Sequence, residues 1–230
     1  MLQAENLVLT YQDGHTTINA VNDVSVAIED HQFMGILGPS GSGKSSLLYL
    51  LSGLRQSTSG DVYLDDRAYS KMSDKDRASL RHSEYGFVFQ QHFLIHYLTA
   101  LENVMVSSPV QDKAHLAQAK ALLADLGLGD KGHRFSSELS GGERQRVAVA
   151  RAMIHRPRFI FADEPTGLLD RTTGLQVMAL LRSFRSQGGL IAVTHNPEIL
   201  AEADRVITIR DGQITDVDYR LTQELREVMS

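Results

Sequence analysis

The chain has no cysteine among its 230 residues. It can hold neither a disulfide framework nor a thiolate metal site, and it suits a reducing cytosol. It also lacks an excess of positive charge: 23 Lys and Arg against 28 Asp and Glu leave a formal net charge of −5. A nucleic-acid surface calls for a basic footprint, so no nucleic-acid partner is expected. No segment approaches the roughly 20 apolar residues that a bilayer crossing requires. The longest candidates are broken by Glu29, Asp30 and His31, or by Asp163 and Glu164. Residues 1–10 show no basic start followed by an apolar stretch, so no secretory signal is expected. What is left is ordinary globular material, 42% hydrophobic and 22% charged, enough for a substantial core in one domain over 1–230.

Against these absences stands one glycine-rich octet. Gly38, Pro39, Ser40, Gly41, Ser42, Gly43, Lys44 and Ser45 lie between an apolar run (Phe33 to Leu37) and the helix-like stretch from Ser46 to Leu51. A strand, a loop that can curl through positive φ, and a helix N-terminus together form a phosphate cradle. Inward-pointing backbone N–H groups and the helix dipole both favour anionic oxygens. Lys44 is positioned by this spacing to reach the β- and γ-phosphates of a nucleoside triphosphate, and Ser45 to ligate a magnesium ion.

The rest of the chain alternates short apolar runs with helical periods. Strands are expected at 7–9, 21–28, 61–64, 86–89, 159–162 and 190–193, with a hairpin through Asp211-Gly212 near the end. Helices are expected over 99–128, from Gly141 to just before Pro157, over 175–184, over 197–203 and across the last ten residues. The early strands read as a small antiparallel sheet and the later ones as a parallel sheet covered on both faces. Asp163 and Glu164 end the apolar run Phe159 to Ala162. In a parallel α/β sheet, strand carboxyl ends face the ligand. Neighbouring side chains on an extended segment point apart, so one acid can serve a magnesium shell while the other polarises a water.

Leu139-Ser140-Gly141-Gly142-Glu143-Arg144-Gln145-Arg146-Val147-Ala148 is a third constellation. Ser140 reads as an N-cap, and the glycines keep the following helix end open to an anion. With this decapeptide, the octet and the Asp163-Glu164 pair in order, the chain resembles the nucleotide-binding subunit of an ABC transporter over residues 2–216. Phe87 to Gln90, Leu94, Leu98 to Ala100 and Glu102 to Val104 are similar to the lipoprotein-release and macrolide-export branch.

That resemblance implies a P-loop NTPase fold with a mostly parallel core sheet, an antiparallel β subdomain and an inserted helical subdomain near 91–157. It implies ATP hydrolysis with Mg2+, two copies pairing head to tail, and a separate transmembrane permease as partner. The place implied is peripheral, on the cytoplasmic face of the cell membrane. By the same resemblance, Ser46 joins the octet in binding nucleotide, and Tyr11 stacks on adenine. Asp163 serves magnesium together with Ser45 and Gln90. Glu164 is the catalytic acid, His195 holds the γ-phosphate, and Ser140, Gly141 and Gly142 contact the nucleotide of the other copy. Asp170 crosses the dimer interface. His31, Phe135, Glu143, Leu168 and Asn196 depart from the family pattern, where Gly, Pro, Gln, a small or polar residue and Asp are usual. A cytosolic ATPase of the same type acting on DNA or ribosomes usually brings a coiled-coil insertion, a tandem cassette or a basic surface, and this sequence has none of these.

Overall fold

Alternating apolar residues write the first two strands. In the computed structural model, which describes residues 1–14 and 16–219, β1 (Leu2–Asp13) pairs antiparallel with β2 (Thr16–Ile28). Leu2, Ala4, Leu7 and Leu9 of β1 are buried, and the step from Ala4 to Leu7 breaks the period of two. A register shift accounts for it. Asn6 and Asp23 take positive φ there, and the Asn6 amide Nδ2 donates to Asp23 Oδ1 at 3.0 Å. Such bulges insert one residue and re-aim the face that follows.

After these come β3 (Phe33–Leu37), α1 (Lys44–Leu51), β4 (Ser59–Leu64), β5 (Arg67–Ala68) and α2 (Asp74–Glu84). Next are β6 (Tyr85–Val88), α3 (Ala100–Met105), α4 (Lys113–Asp125), α5 (Gly141–Met153), β7 (Phe159–Asp163) and α6 (Arg171–Ser183). The described chain finishes with β8 (Gly189–Thr194), a short 3-10 turn at Pro197–Leu200, β9 (Arg205–Arg210) and β10 (Gln213–Tyr219). The expected helix over the last ten residues lies outside the described residues. Among the described residues no helix is long and apolar enough to cross a membrane.

Two units divide the chain: 1–81 with 191–230, and 82–190. In the first, strands run in the order β2-β1-β4-β5 as an antiparallel sheet, the subdomain expected from the early alternation. A second set follows the order β10-β9-β3-β8, with β3 parallel to β9 and β10 antiparallel to β9. Phe33, Met34, Ile36, Leu47, Leu48, Ile207 and Ile209 fill the interior around β3, all but excluded from solvent.

In the second unit β6 and β7 pair in parallel, Tyr85 opposite Phe159 and Val88 opposite Ala162. Tyr85 meets Phe161 edge-on, with centroids 5.0 Å apart. α5 buries Val147, Ala148, Val149, Ala150, Ala152 and Met153. The helix expected over 99–128 is two helices. Thr99 and Glu102 form a reciprocal capping box at the start of α3, and Asp112 caps α4. The apolar face is also narrower than its spacing suggests: Ala119, Leu123 and Leu126 are buried while Leu116 is exposed. Helix α2 has no counterpart in the sequence reading. Only its Leu80 is buried, so no apolar stripe announces it. The signal was a cap, since Ser73 Oγ accepts from the Asp76 N–H at 3.2 Å and donates to its carboxylate at 2.6 Å.

Candidate functional site

In the first unit, β3 runs out at Leu37 and the octet turns the chain into α1. Gly41 and Gly43 hold φ of 78° and 101°, and a Cβ added at Gly43 would collide with the Ala20 carbonyl. Only glycine serves there, on both counts. Gly43 is also the N-cap of α1, with no capping side chain and no acidic residue in the first turn. No side chain closes that helix end, and its dipole favours an approaching anion. Lys44, 7% exposed, folds back so that its ammonium donates to the Pro39 carbonyl at 2.7 Å. Backbone from the far end of the unit braces the loop: the Gly212 N–H donates to the Ser42 carbonyl at 3.0 Å.

Tyr11 stands on β1 with the Arg55 guanidinium 4.9 Å from its ring centroid, a cation over one aromatic face. His195 follows the buried end of β8 and is itself exposed. Asn196 shapes the turn beyond it. Its N–H donates to Thr194 Oγ1 at 3.1 Å, and its Oδ1 accepts from the Glu198 N–H at 3.0 Å. Asn therefore performs the capping that an Asp would perform.

In the second unit, Asp163 is the buried last residue of β7 and Glu164 is half-buried beyond it. The expectation that strand pleating parts these two acids needs correcting. Glu164 has left the strand, with φ of 47°, and its carbonyl accepts from the Gly167 N–H at 3.1 Å. A tight turn, rather than the pleat, sets where its carboxylate points. Exposed Gln90, just beyond β6, lies against that turn: a Cβ added at Gly167 would stand 3.9 Å from Gln90 Nε2. Asp170 caps α6 by accepting from the Thr173 N–H at 3.0 Å, and this contact, through side chain and backbone, lowers its pKa.

Ser140 caps α5 as expected. Its Oγ accepts from the Glu143 N–H at 3.2 Å, while Glu143 Oε2 accepts from the Ser140 N–H at 2.7 Å. The other Glu143 oxygen pairs with Lys131. Lys131 first, then the Ser140 amide, hold the Glu143 carboxyl down at about 2. A Cβ added at Gly142 would stand 3.2 Å from Leu169 Cδ2, so the signature glycines adjoin the loop that leads to Asp170.

Sequence reasoning missed two α5 side chains that hold this unit's loops. Gln145, 1% exposed, donates from Nε2 to the carbonyls of Phe89 at 3.1 Å and Pro165 at 3.0 Å. Arg151 donates to the carbonyls of His92 at 2.9 Å and Phe93 at 2.7 Å. The available signal was helical spacing: Gln145 shares its face with the buried Ala148, Val149 and Ala152.

Among the described residues no cluster of three or more His, Asp or Glu side chains could cage a metal ion. The donors expected for one are the Ser45 hydroxyl, the Gln90 amide oxygen and the Asp163 carboxylate. That all-oxygen set suits magnesium, which keeps water and phosphate ligands and needs few from protein.

Known proteins agree with the motif order. The family profile described as ABC transporter matches residues 21–167. An uncharacterized ABC transporter ATP-binding protein of Methanocaldococcus jannaschii is 42% identical over 221 residues, 94% of this chain and 99% of its own. The lipoprotein-releasing system ATP-binding protein LolD of Shewanella frigidimarina is 40% identical over 217 residues, covering 92% of this chain and 91% of LolD. The macrolide export ATP-binding/permease protein MacB of Psychrobacter arcticus is 38% identical over 96% of this chain, which spans 34% of MacB. Among solved structures, the dimeric post-hydrolysis state of the ATP-binding cassette MJ0796, bound to ADP and Pi, superposes with a TM-score of 0.91 at 34% identity. That match covers 96% of this chain and all of the cassette.

Proposed function

The chain belongs to the ABC transporter family as an ATP-binding, ATP-hydrolysing subunit, and from that premise we propose that two copies close around two Mg-ATP and that closure drives a separate membrane permease. The observation that carries this reading is the bare, glycine-capped N-terminus of α1 with Lys44 laid back across its loop. A buried ammonium beside a helix N-terminus that no side chain caps is a site for a polyanion.

In this reading residues 38–46 hold the triphosphate, and Tyr11 stacks on the base from the ring face that Arg55 leaves. Ser45, Asp163 and Gln90 would hold magnesium, which would supply positive charge to offset that of the phosphate oxygens. Glu164 orients and polarises the attacking water, and His195 holds the γ-oxygens. Ser140, Gly141 and Gly142 of the second copy complete the phosphate's surroundings. Phosphoryl transfer to water is chiefly positioning and charge stabilisation, so these groups need only be placed and kept dry. Leu168, 55% exposed in the loop before Asp170, offers apolar surface to that second copy.

Phe93 and Tyr97, 62% and 68% exposed in the segment that follows Gln90, offer the permease an aromatic foothold. The subunit would sit peripherally on the cytoplasmic face of the membrane. Likeness to LolD and MacB supports export, extraction or mechanotransmission as the work performed.

Glu164→Gln should keep ATP affinity while turnover falls on the order of 10²–10³-fold and a nucleotide-bound dimer accumulates in gel filtration. Unchanged turnover would remove Glu164 from the chemistry. Ser140→Arg should abolish hydrolysis with nucleotide affinity kept. A parallel loss of affinity would mean that each site is built by one copy alone.

A further inference from the structure

Gln145 is buried to 1% exposure, and its carboxamide touches three backbone or side-chain groups in the second unit. Two of them, the carbonyls of Phe89 and Pro165, can only accept, so the end facing them is the NH2. Its Oε1 therefore faces His92 Nδ1 at 3.0 Å, which requires a proton on that ring nitrogen. The amide is fully used: both N–H groups are spent on carbonyls and the oxygen is fixed by the imidazole.

What the two carbonyls belong to gives this contact its meaning. Phe89 immediately precedes Gln90, and Pro165 immediately follows Glu164. One side chain thus pins the peptide next to each of two residues that the reading above assigns to the reaction. Gln145 itself stands five positions along α5 from its cap, Ser140. We infer that Gln145 is a positioning residue for ATP hydrolysis: it holds Gln90 and Glu164 in one fixed relation to the signature helix, with His92 setting the direction of its amide. This rests on the assignment of Gln90 and Glu164 made above. Arg151 adds a second tie from the same helix to the carbonyls of His92 and Phe93. The segment carrying the exposed aromatics is thereby fastened to α5 at two levels.

Methionine has a similar length and volume and no hydrogen-bonding amide, so Gln145→Met removes both donors with little change in packing. Losing them takes one donor from each of the two carbonyls and lets the flanking turns drift from the productive geometry. Steady-state kinetics should show kcat down on the order of tenfold with KM for ATP within about twofold, the split expected when positioning rather than binding is lost. His92→Leu, at a half-buried position, should lower kcat by about two- to fivefold, again with KM held, because the amide loses its orienting partner. A kcat within twofold of wild type in Gln145→Met overturns the inference, as does a rise in KM that matches the fall in kcat. Should Gln145→Met fail to fold, an unaltered kcat in His92→Leu overturns it instead. Glu164→Gln run alongside separates the two levels. If wild type turns over, Glu164→Gln does not, and Gln145→Met behaves as wild type, only the role of Gln145 falls. If Glu164→Gln turns over normally, the functional assignment falls with it.

Discussion

The two helix ends that bear the family's motifs are built in opposite ways. α1 begins on Gly43 with no capping side chain and no acid in its first turn, whereas α5 begins on Ser140 with a reciprocal box and an ion pair behind it. A bare end is costly until an anion arrives and then rewards it, so α1 is a grip. A doubly capped end keeps its shape with no ligand present, so α5 is a template. Ser140 also keeps something to give. Its Oγ accepts from the Glu143 N–H, which leaves the hydroxyl hydrogen for an outside oxygen. On the proposed reading, one cassette thus combines a helix end shaped for nucleotide with one that is already formed without it.

The contrast is broken most violently at Gly43. Gly43→Ala must place a Cβ against the Ala20 carbonyl at a φ of 101°. Destabilisation on the order of 3–4 kcal/mol, read by denaturant unfolding, is expected, with loss of ATP binding. A variant that binds ATP normally would show that the loop has another way to close. Ser140→Ala removes one cap and should cost about 1 kcal/mol in the same measurement, with no effect on the affinity of the isolated chain for ATP. If that affinity collapsed, α5 would be acting as a grip as well.

The finest test is electrostatic. Glu143 is held at about 2, below its ordinary 4.5, chiefly by Lys131. A carboxyl depressed in the folded state contributes stability that is complete above 4.5 and is lost as pH falls from there toward 2. Lys131 is more than a third exposed, so solvent screens the pair and about 0.5–1 kcal/mol is the expected worth. Glu143→Gln should therefore unfold slightly more easily than wild type at pH 7, with the gap narrowing below pH 4.5 and closing near pH 2. A gap that stayed constant with pH would assign the effect to packing.

The strands were legible because alternation and buried runs are local: 159–162 and 190–193 reappear as β7 and β8, each one or two residues longer. The cap at Ser140 was legible for the same reason, a Ser followed three residues later by a Glu. Helix α2 was not, because a polar helix with one buried leucine leaves no periodic trace. The break between α3 and α4 had a signal, Ser107-Ser108-Pro109 inside the expected helix, after which Asp112 starts a fresh one. His31 shows a departure acquiring a physical content, since it holds φ of 64° where the resemblance leads one to expect Gly. For Gln145 helical spacing could give the burial but not the contacts, because the two carbonyls it holds are 20 and 56 positions away in the chain. Roles for Glu164, Gln90 and His195 came from resemblance, since a lone acid, amide or imidazole after a strand specifies no chemistry.

Glu164 hangs its carboxylate on a left-handed backbone that most L residues avoid at a cost of about 1 kcal/mol. Screening this chain for heat tolerance would therefore reward glycine at 164, which relaxes the turn and deletes the acid in the same stroke. Under the role proposed for Glu164 above, sturdier molecules recovered that way would be idle ones. Anyone seeking a hardier motor from this sequence should freeze that position first and look for gains elsewhere.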